Sequence, residues 1–327
     1  MNQLSIFILK SFRRVYSKLW GAPVGKPDCL LDADSVSDLI TQLLSSSEPC
    51  MVGRFGSTEL STTVNYLGVR KAERNLLNYV RGQSLQWWWN NNLIYQMNKW
   101  SGFFPANVDH VERFCEMMVE DMGQLDILGS WLSEEKYFEN YVNAEYVHLR
   151  LLEPFWSQNP WTKILKGKKI LVIHPFDQSI KAQYSKRHLL FQNSDVLPEF
   201  GSLSVIKAVQ TLGQESSSYI DWFEALDSMK KQIDESDFDI CLIGAGAYGF
   251  PLAAYVKRIG KKAIHLGGAL QLLFGIKGKR WEDPNYGVKE WGIPEGSYTS
   301  LINEYWVRPM DIEKPITANF VEGACYW

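Results

Sequence analysis

The chain has 327 residues, 46% of them hydrophobic, with a net charge of −3 and a pI near 6.0. That suffices for one large core or two on a scale of roughly 150 residues per domain, and the mildly acidic balance offers no basic field to a nucleic-acid backbone. Five scattered cysteines form no C-x-x-C pair, which argues against a disulfide framework or a zinc site and for the cytoplasm, and no stretch reaches the ~18 consecutive apolar residues of a membrane span.

Residues 2–20 place Leu4, Ile8, Phe12, Val15 and Leu19 on one helical stripe, with Lys10, Arg13, Arg14 and Lys18 as the only charges. Such a helix suits an anionic membrane surface or a docking face on the protein itself. Residues 21–34, with Pro23 and Pro27, make a linker. A short helix follows, with Leu39, Ile40, Leu43 and Leu44 facing inward and Ser35 or Asp34 as its cap.

Cys50-Met-Val-Gly predicts a short strand that turns through Gly53 and Gly56 into a helix ending near Gly68, with Ser57 as N-cap and Glu59 in the first turn. Helical, aromatic-rich sequence occupies 72–122, including Trp87-Trp88-Trp89 and Trp100, and residues 125–131 suggest another strand. After Pro160 strands and helices alternate: a strand over 169–173 ending at His174, a helix carrying Ile180, Tyr184, Arg187 and Leu190, a strand over 203–209, and a helix over 222–233. The apolar run Ile240 to Ile243 then meets a glycine cluster, a helix starts near Pro251, and a second strand covers 262–266. The order implies an α/β fold, a Rossmann-like, mostly parallel sheet with helices on both faces, plus a helical, aromatic-rich N-terminal part. The expected division is an amphipathic helix over 1–22, a catalytic α/β domain over 23–282, and a turn-rich extension over 283–327 packed on it.

Ligands of such sheets bind at the carboxyl ends of the strands. Gly244, Gly246 and Gly249 spell G-x-G-x-x-G, whose backbone amides and helix N-terminus suit a pyrophosphate. A dinucleotide enzyme would also need an acid about 20 residues on, at the end of the next strand. That strand ends instead in His265, Gly267 and Gly268, so a phosphate-bearing ligand is expected and NAD is not favoured. The binding set is therefore Gly56, Ser57, Gly244, Ala245, Gly246, Tyr248, Gly249, His265, Gly267 and Gly268. Arg54, Glu59 and His174 are the candidate catalytic groups, and Lys181, Lys186 and Arg187 are further cations for a departing diphosphate. Either strand-end histidine could donate to phosphate or act as an acid or base.

Gly53-Arg-Phe-Gly-Ser-Thr-Glu-Leu60 resembles the Arg-Phe/Tyr-Gly-Asp-Gly-Glu signature of the bacterial GT-D-fold glycosyltransferases. His174-Pro-Phe, the 239–249 stretch and His265-Leu-Gly-Gly-Ala-Leu-Gln-Leu-Leu-Phe-Gly look like the same superfamily, so the resemblance covers about 35–282. It implies transfer of a sugar from a nucleotide-diphosphate donor, a UDP-sugar, to a hydroxyl of a glycan or lipid-linked acceptor in surface polysaccharide or glycan synthesis. In that family the Asp-x-Glu element is associated with the metal and the diphosphate. Here Ser57 replaces the first acid, leaving Glu59 as acceptor base or as anchor for Mn²⁺ or Mg²⁺. The aromatic segment from Trp87 to Trp100 is the expected acceptor side, and the basic helix at 2–20 would hold the enzyme at the inner face of the membrane. The alternatives are an NAD(P)-type oxidoreductase and a non-catalytic nucleotide-binding protein.

Overall fold

The computed structural model describes residues 3–21, 25–71, 74–211, 218–320 and 323–327; Pro23 of the expected linker and residues 72 and 73 lie outside them. Its centre is a seven-stranded sheet in which every recorded pairing is parallel. The strands are β1 (Cys50–Gly53), β2 (Ile127–Ser130), β3 (Glu145–His148), β4 (Lys169–His174), β5 (Ser202–Lys207), β6 (Ile240–Ile243) and β7 (Lys262–His265), in the order β3-β2-β1-β7-β6-β4-β5. The five expected strands around 50, 125, 169, 203 and 240 and the one at 262 all form, and the α/β architecture is as expected. β3 is an addition.

Continuous apolar strands are what a parallel sheet buried on both faces requires. Alternation divides them: Met51, Leu171, Ile173, Cys241, Ile243 and Ala263 enter one core, and Cys50, Val52, Ile170, Val172, Leu242 and Ile264 enter the other. On the first face lie α3 (Ser57–Arg70), α5 (Asn91–Ser101), α6 (Val108–Met122), α8 (Trp222–Asp234) and α9 (Gly249–Arg258). On the second lie α2 (Ala33–Ser45), α7 (Asp177–Tyr184), the short α10 (Leu270–Leu273), and side chains of the C-terminal segment such as Tyr298, Trp306 and Trp327. α1 (Gln3–Trp20) rests on α4 (Leu76–Val80) outside both cores, and a last short helix, α11, covers Val288–Trp291.

Local chemistry sets several boundaries differently from expectation. Asp32 caps α2 by accepting from the Ser35 amide at 2.8 Å, in place of Ser35 or Asp34, and the face buried is Val36, Ser37, Ile40 and Leu44, with Leu39 and Leu43 half-buried. The N-cap of α3 is Gly56; Ser57 is the first helical residue, and Glu59 keeps its place in the first turn. α7 stops at Tyr184, so Arg187 and Leu190 lie beyond it. The edge of β3 is covered by the segment before α2: Leu30 donates to Tyr146 O and accepts from the His148 amide, both at 2.9 Å. The C-terminal segment is tied to α7 through Glu313, which is buried and accepts from the Gln178 amide (2.8 Å) and Ser179 amide (3.1 Å) at the start of that helix.

Candidate functional site

The strand order creates a crevice at one place. β4 leaves toward β5 through α7 on the second face, whereas its neighbour β6 leaves toward β7 through α9 on the first. Their outgoing loops diverge, and ligands of open α/β sheets bind at such a point. A cavity of about 860 Å³ opens there and extends along the carboxyl ends toward β3. Its size is within the range of small-molecule sites.

Arg54, at the end of β1, is the cation of the floor. Part of its surface faces the cavity, yet protein encloses it, and this burial lowers its pKa, with opposing help from Tyr326, Glu59 and Tyr286. Among the described residues no carboxylate reaches ion-pair distance of Arg54, and its Nε is buried without a hydrogen-bond partner. The guanidinium stands 5.2 Å from the Trp131 ring and borders Gly267, where an added Cβ would lie 3.3 Å from a terminal nitrogen of Arg54. A cation in such a setting can form a charge-assisted hydrogen bond with an anionic group.

Two glycine turns line the same cavity, the second of them against Arg54. Gly246 (φ +53°) and Gly267 (φ +62°) are both left-handed, which only glycine adopts readily. Both line the cavity, with Gly244 and Gly268. The cradle is smaller than the motif suggests. The amides of Gly244, Tyr248 and Gly249 are already bound to Ile173 O, Ala245 O and Gly246 O. Ala245, Tyr248 and Gly249 do not line the cavity; Tyr248 instead stacks on Trp222 at 4.6 Å in the core. Gly249 is glycine for space: a Cβ there would come within 2.2 Å of the His265 ring.

His174 and His265 both reach the cavity, and burial lowers each to a pKa of about 3. For His265 the nearby Arg54 adds to the effect. They are neutral at physiological pH and differ in tautomer. His174 Nδ1 accepts from the Phe176 amide at 3.0 Å, so its proton sits on Nε2, available to a ligand. His265 Nδ1 faces Ile243 O at 3.3 Å, and since a carbonyl only accepts, the proton is on Nδ1 and Nε2 carries a lone pair. His265 is therefore no cation for a diphosphate.

Glu59 and Ser57 line the wall beside Arg54. The Glu59 carboxylate folds back over Gly56, where a Cβ would collide with Oε2. Among the described residues no group of three His, Cys, Asp or Glu side chains could hold a metal. Glu59 is the carboxylate beside Ser57 on this wall, so a Mn²⁺ or Mg²⁺ held here would take most of its oxygens from phosphate and water.

Lys181, Lys186 and Arg187 are absent from the cavity. Lys181 lies 3.6 Å from Asp177 and Arg187 lies 3.1 Å from Glu199, on the outside of α7 and beyond its end. Trp87 and Trp88 pack on Tyr79 and on each other, and of that aromatic stretch only Trp100 faces the cavity. The aromatic wall comes from the other end of the chain: Trp281, Tyr286, Trp291 and Tyr326. Arg280 sits among these rings, 4.8 Å from the Tyr326 centroid and 5.7 Å from that of Tyr286, and lies close enough to Arg54 to lower its pKa further. Tyr326 covers the second glycine turn so closely that a Cβ on Gly268 would be 2.2 Å from its ring. Glu153 completes this wall. It is 8% exposed, accepts from Tyr298 Oη at 2.9 Å and from Trp156 Nε1 at 2.9 Å, and burial raises its pKa to about 7. The only local signal for these residues was the density of aromatics beyond 281.

No family model, curated protein or solved structure matches the chain.

Proposed function

We propose that the protein is a glycosyltransferase that moves a sugar from a nucleotide-diphosphate donor, a UDP-sugar, to a hydroxyl of a glycan or lipid-linked acceptor in bacterial surface polysaccharide or glycan synthesis, working at the cytoplasmic face of the membrane. The observation that carries this reading is the enclosed Arg54 guanidinium, without an acidic partner, in a cavity lined by two left-handed glycine turns at the switch point of a parallel sheet. A diphosphate supplies the missing charge, Arg54 and Arg280 hold it from two sides, and the Nε2 proton of His174 adds a neutral donor. The rings of Trp281, Tyr286 and Tyr326 offer flat surfaces to a base or a sugar.

In the reaction the bond between the anomeric carbon and the phosphate oxygen breaks, and its electron pair leaves on the diphosphate. The acceptor oxygen bonds to the anomeric carbon and passes its proton to a base, a role assigned to the Glu59 carboxylate. In this reading the developing charge is stabilised by the Arg54 and Arg280 guanidiniums that line the cavity. In the alternative in which Glu59 anchors Mn²⁺ or Mg²⁺ in place of acting as base, the ion would neutralise diphosphate charge.

A thermal-shift panel of nucleotide sugars, with and without Mn²⁺, tests the reading, because a ligand specific to the native state raises apparent stability according to its affinity. Stabilisation by one nucleoside-diphosphate sugar family is expected. Stabilisation by NAD(H) alone would transfer the site to the oxidoreductase reading.

A further inference from the structure

Helix α1 touches the rest of the protein along one side. Arg13 donates to Ser84 O at 3.1 Å and stands 4.7 Å over the Tyr79 ring, and Ile6, Leu9 and Tyr16 are half-buried on the same side. The opposite side is bare. Leu4, Phe7, Ile8, Phe12, Val15 and Leu19 are between 44% and 68% exposed, and at 100° per residue they fall within an arc of ~140°. Lys10, Arg14 and Lys18 run along one border of that arc, and the helix contains no acid. No helix among the described residues is long and apolar enough to cross a membrane.

A contiguous apolar stripe of this kind marks an interaction surface. Charge decides what it meets. A second copy of α1 would bring basic borders together with no acid to offset them, whereas lipid phosphates complement Lys10, Arg14 and Lys18 while the apolar arc enters the acyl boundary. A groove of about 390 Å³ lined by Arg13, Tyr79, Ser133 and Glu134 lies beneath α1, and Ser133 and Glu134 also line the main cavity. The groove at α1 and the candidate site therefore share a wall.

We infer that α1 docks the protein flat on an anionic lipid surface through Leu4, Phe7, Ile8, Phe12, Val15 and Leu19, and, resting on the glycosyl-transfer reading, that this brings the cavity to lipid-linked acceptors. The test is flotation of the full chain with phosphatidylcholine vesicles and with vesicles that also contain phosphatidylglycerol, in the absence of any sugar donor, so that the outcome is independent of transfer activity. Binding is expected to require phosphatidylglycerol and to weaken with salt. Arg14→Gln with Lys18→Gln should reduce it about thirtyfold at low ionic strength, from the two lost attractions. Phe7→Glu with Phe12→Glu should abolish it while leaving the thermal transition in place, because both rings are exposed. Equal binding to the two vesicles, or binding unmoved by the glutamate pair, would overturn the inference. A concentration-dependent dimer in sedimentation equilibrium that the glutamate pair dissolves would overturn it too, by assigning the face to a second copy.

Discussion

Replacing Arg54 with methionine separates the two consequences of placing an unpaired guanidinium at the floor of the cavity. In the free protein the charge is desolvated, its Nε has no partner and no carboxylate is within ion-pair distance among the described residues. Removing such a cation relieves a cost while keeping most of the packing volume, so free Arg54→Met should be as stable as the parent or gain up to about 1 kcal/mol, roughly 2 °C in a chain of this size. With ligand the sign reverses. A charge-assisted contact to phosphate is worth about 1.5 to 3 kcal/mol, which weakens diphosphate binding about 10- to 100-fold. At a UDP concentration of about 100 Kd the parent gains about 2.7 kcal/mol, and the variant keeps only about 0.4 to 1.4 kcal/mol of that. The assay is thermal or urea unfolding of both proteins with and without UDP. A variant that is much less stable when free, yet retains the full UDP shift, would make Arg54 a structural residue and refute the reasoning.

Glu153 predicts a pH signature. Its native pKa of about 7 is above the ordinary 4.5, so the folded state keeps a proton that the unfolded chain releases as pH rises through that window. Stability is therefore lost on going from about pH 5 to pH 8, by about 2 to 3 kcal/mol from this group. Glu153→Gln should flatten that part of a urea-unfolding profile, and an unchanged slope would show that the carboxyl ionises freely in the native state. Gly268→Ala should cost about 1 to 3 kcal/mol through its clash with Tyr326; denaturant midpoints of this variant with and without Tyr326→Ala check whether that ring is the obstacle. His174 and His265, both held near pKa 3, should show no imidazole titration by NMR between about pH 5 and pH 8.

The parallel sheet was legible because buried strands such as Lys169–His174 and Ile240–Ile243 are nearly continuous apolar runs bounded by turn residues. β3 carried no such signal: of Glu145-Tyr-Val-His only Val147 is buried, and the strand exists through its pairing with β2 and with Leu30. The strand-end loops of the site followed from the carboxyl-end rule, which needs only strand positions. The aromatic wall did not, since Trp281 and Tyr326 meet across a long turn-rich segment without helical or strand periodicity. The glycine motif misled in detail, because pattern alone cannot tell an amide facing a ligand from one already bonded, as in Tyr248 and Gly249.

The central claim is that this cavity cleaves a nucleotide sugar, and release of the nucleoside diphosphate reports it most directly. Purified protein is incubated with a panel of UDP-sugars and a hydroxyl acceptor, with and without Mn²⁺, alongside Glu59→Gln. The parent is expected to release UDP from at least one donor, and Glu59→Gln to lose that release while the UDP-induced thermal shift persists. No release from any donor under either metal condition, or undiminished turnover in Glu59→Gln, would contradict the claim.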